Sequence, residues 1–113
     1  MLLFIGVEGR PYAPNWHGFH YIVNDIVLDG CATFIQECLG GWRFGRNTRI
    51  RYRRAGRELM VEVPRSILKL DRGSFTLRFK WADHTCQSET ISDFYEHGDS
   101  APYGRFSWIY RAE

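Results

Sequence analysis

The chain has 113 residues, 44% of them apolar, with eight Phe, six Tyr and four Trp, and a formal charge of +2. That length is one domain, 1–113, and the composition can fill an aromatic-rich core, which excludes a disordered chain. A charge this close to balance excludes a global field that would draw nucleic acid or an anionic membrane.

Met1 to Val7 is an apolar run of the kind that forms a strand buried on both faces. It has no basic region before it and no small-residue cleavage site, and it is too short to span a bilayer. A chain that opens directly into a core strand reads as a truncated domain or as the C-terminal part of a longer polypeptide. Arg10 to Gly18 (RPYAPNWHG) is a loop, with two prolines and an Asn in nine residues. Gly18 to Asn24 is the next strand, with Phe19, Tyr21 and Val23 on one face and His20, Ile22 and Asn24 on the other. Cys31 to Leu39 is a less regular strand, broken by Gly40-Gly41 before Trp42.

Thr48 to Val63 reads as a hairpin. With Ala55-Gly56 at the turn, Arg53 faces Glu58, Tyr52 faces Leu59, Ile50 faces Val61 and Arg49 faces Glu62. Apolar residues then meet on one face and Arg meets Glu on the other. A four-residue loop, Arg54 to Arg57, keeps the same pairs. A one-residue slip would put arginines into the core. Pro64 ends the hairpin, and Ser66 to Leu70 is expected to form one helical turn capped by Ser66. Phe75, Leu77, Phe79 and Trp81 alternate inward, with Thr76, Arg78 and Lys80 outward. Asp83 to Gly104 reads as a long loop with a short strand or turn at Ile91 to Tyr95, and Arg105 to Arg111 closes the domain. Strand signals at this spacing predict an all-β antiparallel sandwich, of jelly-roll or immunoglobulin-like type, and one that is incomplete if the chain is truncated.

Several constellations bear on chemistry. Cys31, Cys38 and Cys86 make an odd count without Cys-x-x-Cys spacing, so they read as small half-buried hydrophobes, or as one disulfide if the protein is exported. His17, His20, His84 and His97 form no metal motif. No nucleophile elbow or phosphate-binding loop occurs, so no enzyme activity is expected. Seven arginines fall between Arg43 and Arg57. They suit either a solvated sheet face paired with Glu or a polyanion-binding face. Trp81 and Trp108 are expected in the core, Trp16 is the aromatic expected to be exposed, and Trp42 is undecided.

The order of landmarks resembles the family 9-like carbohydrate-binding modules, which are DOMON-like β-sandwich domains. The matching segments are LLFIGVEG, WHGFHYIVN, the Gly40 to Trp42 GGW, ELMVEVPRSIL, FKWAD and the tail DFYEHGDSAPYGRFSWIY. The resemblance spans nearly the whole chain. It implies a two-sheet sandwich whose opening strands precede the segment matching MLLFI. It also implies a sugar held between loop aromatics at one end. In the loop from Gly98 to Gly104, sugar-binding members carry a Trp and this chain offers Tyr103.

The resulting expectation is a non-catalytic carbohydrate-binding or accessory module of a secreted or cell-surface carbohydrate-active protein. Trp16 and Tyr103 would contact a mono- or oligosaccharide, with Asn15 and His17 as polar partners. Asp83, Asp93 and Asp99 would order the long loop, either through calcium, which takes six to eight hard oxygens, or by ordinary turn capping. One alternative is a structural or protein-interaction domain, in contact with a preceding domain or forming a homo-oligomer through an exposed sheet edge. The other is polyanion binding through residues 43–57.

Overall fold

The computed structural model describes residues 2–11, 18–28, 32–39, 43–56, 58–70, 73–83, 99–101 and 107–112, without the side chains of 25–28, 43, 44, 46, 83 and 99–101. The described strands are β1 (Leu2–Val7), β2 (Tyr21–Leu28), β3 (Ala32–Leu39), β4 (Arg43–Ala55), β5 (Glu58–Glu62), β6 (Phe75–Asp83), β7 (Asp99–Ala101) and β8 (Trp108–Ala112). All pair antiparallel in one sheet, ordered β5-β4-β3-β2-β1-β6-β7, with β8 also against β6. β7 pairs with β6 at residues 81–83 and β8 pairs with it at 75–79, so the two share one edge. The sheet curls into a half-barrel, the all-β antiparallel form of an incomplete sandwich. Among the described residues no helix is long and apolar enough to cross a membrane.

β1 lies at the centre of this sheet because it can be buried on both sides. All six of its residues are buried, and its edges pair with β2 and β6. Leu3, Ile5 and Val7 join Tyr21, Val23, Ile35, Ile50 and Leu68 on one face, called here the Leu3 face. Leu2 and Phe4 join Phe19, Ile22, Cys38 and Ala82 on the other, the Phe4 face. Lateral pairing aligns Gln36, Ile22, Phe4 and Lys80 in one row on the Phe4 face, each at most 1% exposed. Burial lowers the pKa of Lys80. A buried phenylalanine such as Phe4 contributes about 3–5 kcal/mol relative to alanine.

The hairpin keeps its expected faces but not its expected register. Arg51 pairs with Glu62, Tyr52 with Val61, Arg53 with Met60, Arg54 with Leu59 and Ala55 with Glu58. The partners are thus displaced by two residues from the predicted set. A two-residue shift preserves side-chain parity, so each residue keeps its face: Tyr52 still meets an apolar partner, Val61, while Leu59 now faces Arg54. Turn geometry decides between the registers. A primed turn needs positive φ at its centre, and Gly56 supplies φ 58, whereas the predicted register would ask it of Ala55. β4 is also longer than expected. It begins at Arg43 and follows β3 through an irregularity between Ile35 and Glu37.

Other expectations change too. The long loop contains a strand, β7, although Ile91 to Tyr95 lies outside the described residues. Trp108, expected in the core, is 53% exposed. Its alternation put it on the right face, but β8 is an edge strand and that part of the face stays open. After Pro64 the chain does turn, through hydrogen-bonded turns rather than the expected turn of helix. Lys69 N–H donates to Ser66 O (3.0 Å) and Leu70 N–H to Arg65 O (3.0 Å), with Lys69 at φ 59. That pair of bonds around a left-handed residue is a Schellman motif. It seats Ile67, Leu68 and Leu70 on the Leu3 face.

Two side chains tie the segment between β1 and β2 to the sheet. Val7 N–H donates to His20 Nδ1 (2.9 Å), so the ring proton sits on Nε2, which reaches Arg10 O (3.1 Å) and Pro11 O (3.0 Å). Burial pushes the imidazole pKa below its ordinary value, with Arg10 and Arg78 adding to the same direction. Arg78 donates to Gly18 O (2.9 Å), pairs with Glu8 (3.2 Å) and lies over the Phe19 ring. Gly18 has φ 85, and a Cβ there would meet Arg78 Nη2 at 2.5 Å.

Gly18→Ala should therefore cost about 2 kcal/mol in urea unfolding, from left-handed strain plus a displaced guanidinium. A change within about 0.5 kcal/mol, the range of an ordinary surface substitution, would show that the Arg78 contact is not restrictive. The neutral state of His20 also has a pH signature. Above pH 6.5 neither folded nor unfolded His20 is charged. As pH falls below 6.5, the unfolded chain binds a proton that the folded ring resists, so stability drops by up to about 1.4 kcal/mol per pH unit until the lowered folded pKa is reached. Ring-proton NMR should place the His20 midpoint below 6.5, and a midpoint above it would contradict the Val7 hydrogen bond.

Candidate binding face

The Leu3 face carries an apolar hollow. A cavity of about 360 Å³ lies between β1, β6, β8 and the turn after Pro64, lined by Leu3, Ile5, Val63, Arg65, Leu68, Phe75, Leu77, Phe79, Tyr110 and Ala112. Strand register explains its composition. Leu77 pairs with Tyr110 and Phe79 with Trp108, so the outward-looking residues of β8 continue the apolar row of β6. Tyr110, which lines it, and Trp108, paired with the lining residue Phe79, are each 53% exposed. The rings of Phe75 and Tyr110 meet at 6.2 Å and 48°.

Polar contact at this trough comes from Arg65. Its guanidinium stacks 4.6 Å from the Phe75 ring centre. It donates to Leu70 O (3.2 Å) and Gly73 O (3.3 Å). Arginine has five donors in a fixed fork, so this anchoring leaves N–H groups for a ligand.

Across the turn, on the same face, a smaller cavity of about 200 Å³ is lined by Tyr21, Ile35, Glu37, Thr48, Ser66, Ile67 and Lys69. Lys69 Nζ approaches Glu37 Oε1 at 4.0 Å. Arg10 bridges the Tyr21 hydroxyl (2.9 Å) and Leu68 O (2.8 Å), fixing the turn between the two cavities. An apolar platform with a few convergent polar groups is the usual make-up of a small-molecule site.

Cys38 is buried and free, and burial raises its thiol pKa far above the ordinary range, which keeps it protonated. Among the described residues no group of three or more His, Cys, Asp or Glu is gathered for a metal ion. The register does place Asp83 directly opposite Asp99, so two of the three residues expected at calcium meet on neighbouring strands. Two carboxylates fall short of the six to eight oxygens that calcium takes. Asp93, Asn15, Trp16, His17 and Tyr103 lie outside the described residues.

The trough residues Arg65, Phe75 and Tyr110, and Trp108 opposite Phe79, were not among the expected site residues. The signal was present in the spacing of Trp108 and Tyr110, two apart on a closing strand and hence on one face. No protein-family model, curated protein or solved structure matches the chain.

If the rim aromatics serve a ligand rather than the fold, Trp108→Ser and Tyr110→Ser should each shift urea stability by less than about 1 kcal/mol, whereas Phe4→Ala should cost about 3–5 kcal/mol. A rim substitution that unfolds the chain would make these rings part of the core.

Proposed function

We propose that the chain is a non-catalytic carbohydrate-binding module, of the kind attached to secreted or cell-surface carbohydrate-active proteins. The observation that carries this reading is the exposure of Trp108 and Tyr110 beside an aromatic-lined trough on the open Leu3 face. Aromatic faces stack on the C–H surfaces of sugars, and Arg65 can donate to hydroxyl groups without losing its own anchors. The landmark resemblance to family 9-like modules supports the same ligand class. Asp83 and Asp99, opposed in register, are where calcium would order the following segment, with the remaining oxygens coming from elsewhere.

A second reading, a protein-interaction domain, is favoured by Ile109. It is 56% exposed on the edge strand β8, on the face opposite the two rim aromatics. Exposed apolar edges pair readily with other chains.

The discriminating experiment is a ¹⁵N–¹H NMR titration of the 113-residue chain with neutral mono- and oligosaccharides, in calcium and then in EDTA. Shifts should concentrate at Phe75, Leu77, Tyr110 and the Arg65 side chain, and Tyr110→Ala should weaken binding about two- to tenfold, the range of one aromatic contact. A dispersed spectrum that ignores every saccharide while sedimentation shows concentration-dependent self-association would overturn the sugar reading in favour of the second.

A further inference from the structure

The opposite side of the sheet, at its β4–β5 end, presents a strip of arginines that the hairpin register leaves largely unpaired among the described residues. Arg49, Arg51 and Arg53 alternate along β4 and so stand on the Phe4 face, about 6.7 Å apart at two strand steps each. All three are exposed. In the predicted register, two glutamates of β5 would neutralise Arg49 and Arg53. The observed register moves them. Arg53 faces Met60, Arg49 lies beyond the β5 ladder, and Arg51 alone meets Glu62 at 3.9 Å, with 89% of its side-chain surface exposed. An ion pair so open to water contributes about 0–1 kcal/mol. Two adjoining hollows, of about 370 and 380 Å³, share Arg53 and Met60.

We infer that this strip is a second binding surface, for an acidic polysaccharide bearing carboxylate or sulfate groups. Guanidinium forks take such groups in bidentate pairs. The mixed character of the strip selects the class of polyanion. Glu58 and Glu62 lie on the same face as the arginines. They would repel a nucleic-acid backbone, which presents a charge at every step, but they can accept hydrogen bonds from the hydroxyls that separate charges on a glycan. Among the described residues the strip carries no fully exposed ring for base stacking: Phe34, opposite Arg49, is half-buried. This surface lies across the sheet from the trough, and neither depends on the other.

The test uses the 113-residue chain with polygalacturonate (carboxylate only), heparin (sulfate and carboxylate), neutral dextran and a dT20 single strand. At least one acidic glycan should bind in 50 mM salt. Three charge contacts at a slope of about −0.7 each weaken affinity roughly 20-fold between 50 and 200 mM salt, and each of R49Q, R51Q and R53Q should reduce that slope by about 0.7. Dextran should bind without salt dependence, or not at all, because any neutral-sugar site is the separate trough. The inference is overturned if neither acidic glycan binds in 50 mM salt. It is also overturned if the triple glutamine variant binds like the parent, or if dT20 binds more tightly than both glycans.

Discussion

Leu2–Val7 is hydrogen-bonded along both edges and buried on both faces, and the remaining elements take their places from it. Six consecutive apolar residues cannot alternate between core and solvent, so they require cover on each side. The pairs Phe4–Ile22 and Phe4–Lys80 extend one covered row, and Ile5–Tyr21 and Ile5–Phe79 extend the other. What differs between the two faces is how far the cover reaches. On the Phe4 face, burial remains complete out to Gln36 and Lys80. On the Leu3 face, a single Schellman turn covers the centre and leaves β8 and the outer part of β6 open.

That turn is held from below by partly buried polar contacts rather than by its own length. Arg10 reaches from the end of β1 to Leu68 O, and His20 fixes the backbone of Arg10 and Pro11 by remaining neutral. Arg78 closes the same corner against Gly18. The open trough therefore has a rigid floor of strands and a turn fixed in place beside it. Such preorganisation lowers the ordering cost of binding.

Much of the sheet was legible in the residue pattern. β1 and β6 follow from an unbroken apolar run and a clean alternation, and both are strands where expected. The hairpin shows where pattern stops being informative. Alternation reports parity, and registers two residues apart have the same parity, so the choice passes to the conformational freedom of Gly56 over Ala55. That choice reassigns the arginine partners and with them the charge on one face. Trp108 illustrates a related limit: its position assigned it to the Leu3 face, but whether that face is covered at the edge depends on tertiary arrangement. The trough was missed for the same reason, since Arg65, Phe75 and Tyr110 converge only through pairing between β6 and β8 and the position of the turn. The pairing of Asp83 with Asp99 also arises from strand register, across a stretch that reads as loop.

Amide hydrogen exchange followed by NMR tests the central role of β1 most directly. If Leu2–Val7 organises both cores, the slowest amides should lie in β1 and in the parts of β2 and β6 paired with it, with β5 and β8 exchanging through local opening at much lower free energy. Protection in β1 no greater than in β8 would contradict it, and would mean that the two faces are not assembled around this strand.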